Sequence, residues 1–316
     1  MSQNWIRKYA LTVNGEVLPS SLRIRFYIYP NKLSTPDSAE IRIYNLTKDH
    51  AHALSKTEGK EIQLQAGYMD NCGVIYYGEI IRAMTGRENE VDTFIDFFCR
   101  AGDGAHNWGV VNKTLAAGST QNDIVNELLK AISPYGITRG NIQSLSSYRY
   151  PRAVTLFGMA RSLLSNIAKT NGSTWYVKDQ KLNIEPWDAT TGRNFILNEN
   201  TGMVGIPQET QDGVVVTSLI NPQMRVGDQV TIDESKINRA PWIPNWEAEK
   251  QSGLINLSGV ADGTYIIQGM EYRGDGISGF AIGDAGDEWY QTMFAYGAKT
   301  GGSLGHFTAG LGRDGG

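Results

Sequence analysis

Leu22-Arg23-Ile24-Arg25-Phe26-Tyr27-Ile28 alternates apolar side chains with Arg23 and Arg25, and Glu40-Ile41-Arg42-Ile43 and Glu61-Ile62-Gln63-Leu64-Gln65-Ala66 repeat the pattern. A period of two buries one face of a strand and wets the other, as in an antiparallel sheet. Two denser apolar runs follow, Val74-Ile75-Tyr76-Tyr77 and Phe94-Ile95-Asp96-Phe97-Phe98, joined by the polar stretch Thr85 to Glu90, which reads as a hairpin connection. Short strands at this spacing suggest a small barrel or sandwich. Pro30 and Pro36 bracket a loop.

The pattern changes near residue 112. Thr120-Gln121-Asn122-Asp123 reads as a helix cap, with Asp123 placed to complement the helix dipole. Ile124, Val125, Leu128, Leu129 and Ile132 form a helical stripe that Ser133-Pro134-Tyr135-Gly136 stops. Leu156, Ala160, Leu163, Leu164 and Ile167 signal a second helix, closed by Asn171-Gly172. Thr174 to Val177, a turn at Asp179-Gln180, and Leu182 to Ile184 complete a hairpin, so this segment is a compact α+β unit. Strands return from about residue 203: Val214 to Leu219, Gln229 to Ile232, Tyr265 to Met270 and Gly279 to Ile282. Residues 233–262 carry no clear strand signal, and the tail from Gly297 is rich in glycine. Gly73-Val74-Ile75-Tyr76-Tyr77-Gly78-Glu79 echoes Gly263-Thr264-Tyr265-Ile266-Ile267-Gln268-Gly269. The echo fits two related barrels flanking the middle unit, and equally two unrelated hairpins.

The chain has 316 residues, 41% hydrophobic and 20% charged, which suits a globular fold of two or three domains. A net charge of −4 argues against a dedicated nucleic-acid binder, which needs a basic patch to release counterions. The opening residues are too interrupted by Arg7, Lys8 and Asn14 for a signal peptide, and no run approaches the roughly 18 apolar residues of a membrane helix. Synthesis and folding in a cytoplasm are expected. Cys72 and Cys99 read as two buried free thiols.

Catalytic signatures fail on context. His50 and His52 make an HxH pair without acidic or cysteine ligands at metal spacing, and read as a surface turn. Gly274-Asp275-Gly276-Ile277-Ser278-Gly279 spells GxGxxG, but the residues after it look like a strand rather than the helix a dinucleotide site requires. No GxSxG, HExxH, P-loop or CxxC occurs, and no cofactor or metal is expected. The carboxylate pairs Asp284 with Asp287 and Asp92 with Asp96 cannot be placed in a cleft by sequence alone. Trp242, Trp246, Trp289, Tyr290, Phe294 and Tyr296 are more telling, because they lie in or after weakly patterned segments. They either pack on their own domain or sit at the centre of protein–protein interfaces. The expectation is a β-rich assembly protein, not an enzyme.

The run Ala39-Glu40-Ile41-Arg42-Ile43-Tyr44-Asn45-Leu46-Thr47, then Ile62 to Tyr68, then Ile75-Tyr76-Tyr77-Gly78-Glu79-Ile80, resembles the opening domain of the tail (baseplate) hub proteins of tailed bacteriophages, the group that includes late control protein D. Asn171-Gly172 to Pro186, with Trp175, is similar to the family's middle unit. Gly205-Ile206-Pro207, Asp212 to Pro222 and Val226-Gly227-Asp228 resemble the entry to its second barrel. The resemblance implies a β-dominated α+β fold: a tube-like antiparallel barrel over 1–111, an α+β domain over 112–202, a second barrel over 203–296 with the long loop 233–262, and a tail over 297–316. It implies a homotrimeric ring whose six similar barrels match a six-fold tail tube to a three-fold spike. Tape-measure protein, spike, tail tube or distal tail protein and other baseplate proteins are the implied partners in the virion tail. DNA passes through the lumen without sequence-specific binding, and an acidic wall would keep it from sticking. A virion-associated cell-wall hydrolase and a carbohydrate-binding tail module are the alternatives.

Overall fold

The computed structural model describes residues 6–210, 213–232, 263–280 and 288–297. Strand accounts for 51% of the described residues and helix for 17%, so the fold is β-dominated α+β.

The first third supplies β1 (Arg7–Val13), β2 (Glu16–Val17), β3 (Ile24–Tyr29), β4 (Ser38–Tyr44), β5 (Glu61–Tyr68), β6 (Asn71–Arg87) and β7 (Thr93–Arg100). Alternation dictates their packing: Ile24, Phe26 and Ile28 of β3 are fully buried, while Arg23 and Arg25 stay on the wet face. β1 escaped the sequence reading, although Tyr9, Leu11 and Val13 alternate and Asn14-Gly15 supplies a positive-φ turn into β2. His50 and His52 lie on a short helix, α1 (Lys48–Leu54), capped by Thr47, rather than in a turn, and His50 Nε2 is 3.0 Å from Glu16. The second short helix is α2 (Asp103–Trp108).

The middle unit opens with β8 (Val110–Leu115) and continues through α3 (Gln121–Ile132), β9 (Thr138–Ile142), β10 (Val154–Met159), α4 (Ala160–Thr170), β11 (Ser173–Lys178) and β12 (Lys181–Pro186). The expected cap is present: Thr120 and Asp123 bond reciprocally as a capping box at the start of α3. Leu156 corrects the second helical stripe. It belongs to β10, where it lies opposite Lys113 of β8, and the helix starts four residues later. Asp179 and Gln180 both take positive φ and turn β11 into β12, as the hairpin reading required. A core of its own, including Val125, Leu128, Leu164, Trp175 and Ile184, holds this unit together.

The last third contributes β13 (Asn194–Leu197), β14 (Met203–Thr210), β15 (Gly213–Leu219), β16 (Gln229–Ile232), β17 (Thr264–Gly276) and β18 (Trp289–Gly297). Its strands join those of the first third in one thirteen-stranded sheet, ordered β14-β15-β18-β17-β3-β4-β7-β6-β5-β1-β2, with β13 and β16 attached beside β17. The joint is antiparallel pairing of β3 with β17, from Ile28 opposite Tyr272 to Ile24 opposite Gly276. One continuous core underlies both segments, from Phe26, Ile41 and Phe97 to Val216, Val230 and Met293. The echoed segments 73–79 and 263–269 fall largely in β6 and β17, of 17 and 13 residues. Cys99 is buried and Cys72 only half-buried, and both are free thiols.

Candidate interface surfaces

The wet face of β17, β3, β4 and β7 is an ordered ladder of charge. Arg23 grips the Asp275 carboxylate with two bonds, at 2.7 and 2.8 Å, and Arg25 adds a third at 3.2 Å. Arg42 grips Asp96 in the same forked way, at 2.7 and 2.9 Å, and lies over the Phe94 ring at 3.8 Å. Glu88 approaches Arg25 and Arg42 at 3.8 and 3.6 Å, and Arg273 pairs with Glu271 at 2.7 Å. Two-pronged arginine–carboxylate bonds fix geometry as well as charge. Burial alone would push the Asp275 carboxyl up, but the bonds and charges of Arg23 and Arg25 together outweigh it and hold the group below its ordinary range. Asp275 is the second residue of the GxGxxG string, whose first three residues finish β17 while Ser278 and Gly279 form a turn. Gly274 is required because a Cβ there would stand 2.3 Å from the Phe26 ring.

The expected interface aromatics separate. Trp289 is fully buried and is a core residue, not a surface one. Its burial follows from the joint between β17 and β3, which brings Phe26 against it. Tyr290 and Tyr296 are half-buried, and Phe294 is 37% exposed on β18. Trp242 and Trp246 lie outside the described residues, as do Asp284, Asp287, the whole of loop 233–262 and the tail beyond Gly297. Sequence reasoning missed a different exposed group: Trp108, Val110 and Phe157, at 69%, 58% and 74% exposure. No clear periodicity marks them in the sequence, and it is the pairing of β8 with β10 that sets Val110 and Phe157 on one exposed face.

The loop between Pro30 and Pro36 clasps the middle unit to the sheet. Lys32 is 1% exposed; its ammonium donates to the Ala189 carbonyl at 2.7 Å and sits 3.2 Å from Glu185. Thr174 donates to the Lys32 carbonyl at 2.9 Å, and Tyr176 donates to Glu185 at 2.9 Å. Asp37, also buried, accepts the Asn31 N–H at 2.9 Å. Burial raises the Asp37 carboxyl to about 6, against the opposing pull of Lys178 and of Asn31. A folded-state value above the ordinary 3.8 means that the fold holds this proton more tightly than the unfolded chain does. The group therefore favours the fold below pH 3.8, and that contribution fades as the pH climbs through 6. Asp37→Asn is expected to remove the loss, so wild type should fall relative to the variant by about 2–3 kcal/mol between pH 4 and 6.5 in urea titrations.

A cleft between the first sheet and the middle unit, lined by Pro36, His106, Arg161 and Trp175, holds about 20 Å³, room for one water and too little for a sugar ring. Among the described residues no three His, Cys, Asp or Glu side chains converge as a metal site, and no helix is long and apolar enough to cross a membrane.

The described residues thus present a broad sheet with an ion-paired face and exposed apolar side chains. The family model for baseplate hub gp41 matches residues 7–241, and the chain belongs to that family. It is a phage tail component, in a family of structural baseplate proteins. No curated protein matches the chain. Solved structures share the fold at low identity. A 43 kDa tail protein of prophage MuSo2 from Shewanella oneidensis aligns with a TM-score of 0.61 at 11% identity, over 92% of this chain and 98% of that one. A tail protein from Neisseria meningitidis MC58 aligns at 0.57 and 9% identity, over 92% and 97%. An Escherichia coli type VI secretion component, c3393, described as structurally similar to T4 tail proteins gp27 and gp5, aligns at 0.55 and 12% identity, over 91% and 76%.

Proposed function

We propose that three copies of this hub close into a ring on the tail axis, with two strand-rich segments per copy presenting six similar units to a six-fold tail tube. The observation that carries this reading is the family membership, joined to a sheet built from both ends of the chain around a separate middle unit. The spike, the tail tube or distal tail protein, the tape-measure protein and neighbouring baseplate proteins are the partners, and DNA passes through the opening during ejection. The ladder face suits a wall along which DNA slides: Arg23, Arg25, Arg42 and Arg273 are matched by Asp275, Asp96, Glu88 and Glu271, leaving little free positive charge to hold a polyanion. The role is structural, in the virion, after assembly in the host cytoplasm. Electron-microscopic reconstruction of the virion baseplate tests the reading. The expected result is three copies around the axis at the end of the tube; hub density at the periphery, or in any other copy number, refutes it.

A further inference from the structure

The ribbon of β8 and β10 stands apart from both larger sheets and has no third strand among the described residues. Val111 and Leu156 face the core formed with α3 and α4. The opposite face carries Val110 and Phe157, with Asn112 opposite Phe157 and Met159 opposite Val110, and Trp108 lies two residues before Val110. The hydroxyls of Thr114 and Thr155, 3.2 Å apart, extend this face toward the other end of the ribbon. At that end lie Arg149 and Arg152, both exposed. Arg149 reaches the Gly118 carbonyl at 3.4 Å and is close enough to Asp123 to help lower its carboxyl, while neither arginine has a salt bridge among the described residues. The strip is thus apolar at one end and cationic at the other.

Two features point to a strand as its occupant. A two-stranded ribbon is marginal alone, and its outer N–H and C=O groups seek partners. Natural edges are guarded by Lys, Pro or charge, whereas β10 carries Phe157 followed by Gly158. Gly158 has φ of +125°, with nothing within 4 Å of where a Cβ would stand, so another backbone can approach closely. We propose that this ribbon takes an extended segment of another baseplate protein as a third strand. Its apolar side chains cover Phe157 and Val110, and its acidic residues meet Arg149 and Arg152. The inference rests on the chain's placement in a baseplate. A second copy of the chain fits less well. Patch-to-patch pairing is two-fold and stops at a dimer, and antiparallel strands would set the cations of one copy beside the apolar end of the other.

Hydrogen exchange on the full-length hub, purified alone and within assembled baseplates, tests the proposal. Amides of 110–115 and 154–159 are expected to slow about tenfold or more along one strand edge on assembly, and to remain fast in the hub alone. Phe157→Asp and Arg149→Glu/Arg152→Glu are expected to cut incorporation of the neighbouring baseplate proteins at least about tenfold, with unchanged melting of the isolated hub and recovery in Phe157→Leu. Equal exchange in both states overturns the proposal, and so does protection already complete in the isolated hub, which would mean that the chain or its own copies cover the ribbon. A hub missing from the baseplate would instead defeat the reading of its function, so the two failures are distinguishable.

Discussion

Trp289→Ala is expected to lower stability by about 3–5 kcal/mol, the range for removing a fully buried large aromatic side chain. The ring meets Phe26 edge-on with centroids 5.2 Å apart, and the indole N–H donates to the Gly67 carbonyl at 2.9 Å. The Arg7 guanidinium lies 5.9 Å from the ring centre, and Tyr68 donates to the Trp289 carbonyl at 2.9 Å. One side chain from β18 thus touches residues of β1, β3 and β5, so its loss leaves a cavity where the two ends of the chain meet and orphans a buried acceptor. Urea unfolding of the isolated hub measures the effect. Phe294→Ala, on the same strand but 37% exposed, should shift stability by less than about 1 kcal/mol. Equal shifts for the two would contradict the assignment of Trp289 to the core.

Lys32→Met should weaken the fold by about 3 kcal/mol, because it leaves the largely buried Glu185 without its cation and the Ala189 carbonyl without its donor. Burial lowers the ammonium's proton affinity, and Glu185 is the main force opposing that. The pair therefore depends on both members. The double variant Lys32→Met/Glu185→Gln should recover most of the loss, because a neutral pair leaves no buried charge unmatched. The middle unit is the part expected to loosen, visible as faster hydrogen exchange in β11 and β12. A double variant as unstable as the sum of the singles would show that the two residues act independently.

These two sites also mark the limit of what the sequence discloses. Alternation in β3 and β4, the Thr120–Asp123 cap and the Asp179-Gln180 turn are local, so each could be read from a few neighbours. The resemblance over residues 39–80 and 171–228 pointed to the family that the chain belongs to. The pairing of β3 with β17 joins residues about 250 apart, and no local periodicity encodes it. For that reason the sequence shows Arg23 only as a wet-face side chain, without Asp275 beside it, and leaves Trp289 open between core and interface, a choice the contact with Phe26 decides. Lys32 sat in what read as a plain proline-bracketed loop, because the carbonyl and carboxylate that hold it belong to the middle unit. Of β8 and β10 the sequence reading holds only Leu156, and among the described residues their ribbon has no third strand and leaves Phe157 and Val110 exposed.

The proposed three-fold ring has a direct test in the mass of the assembly. Light scattering on the purified hub mixed with its spike measures it most directly. A hub mass of about three times 34.8 kDa, with the spike added on, is expected. A hub that stays at 34.8 kDa with spike and tube protein both present would contradict it.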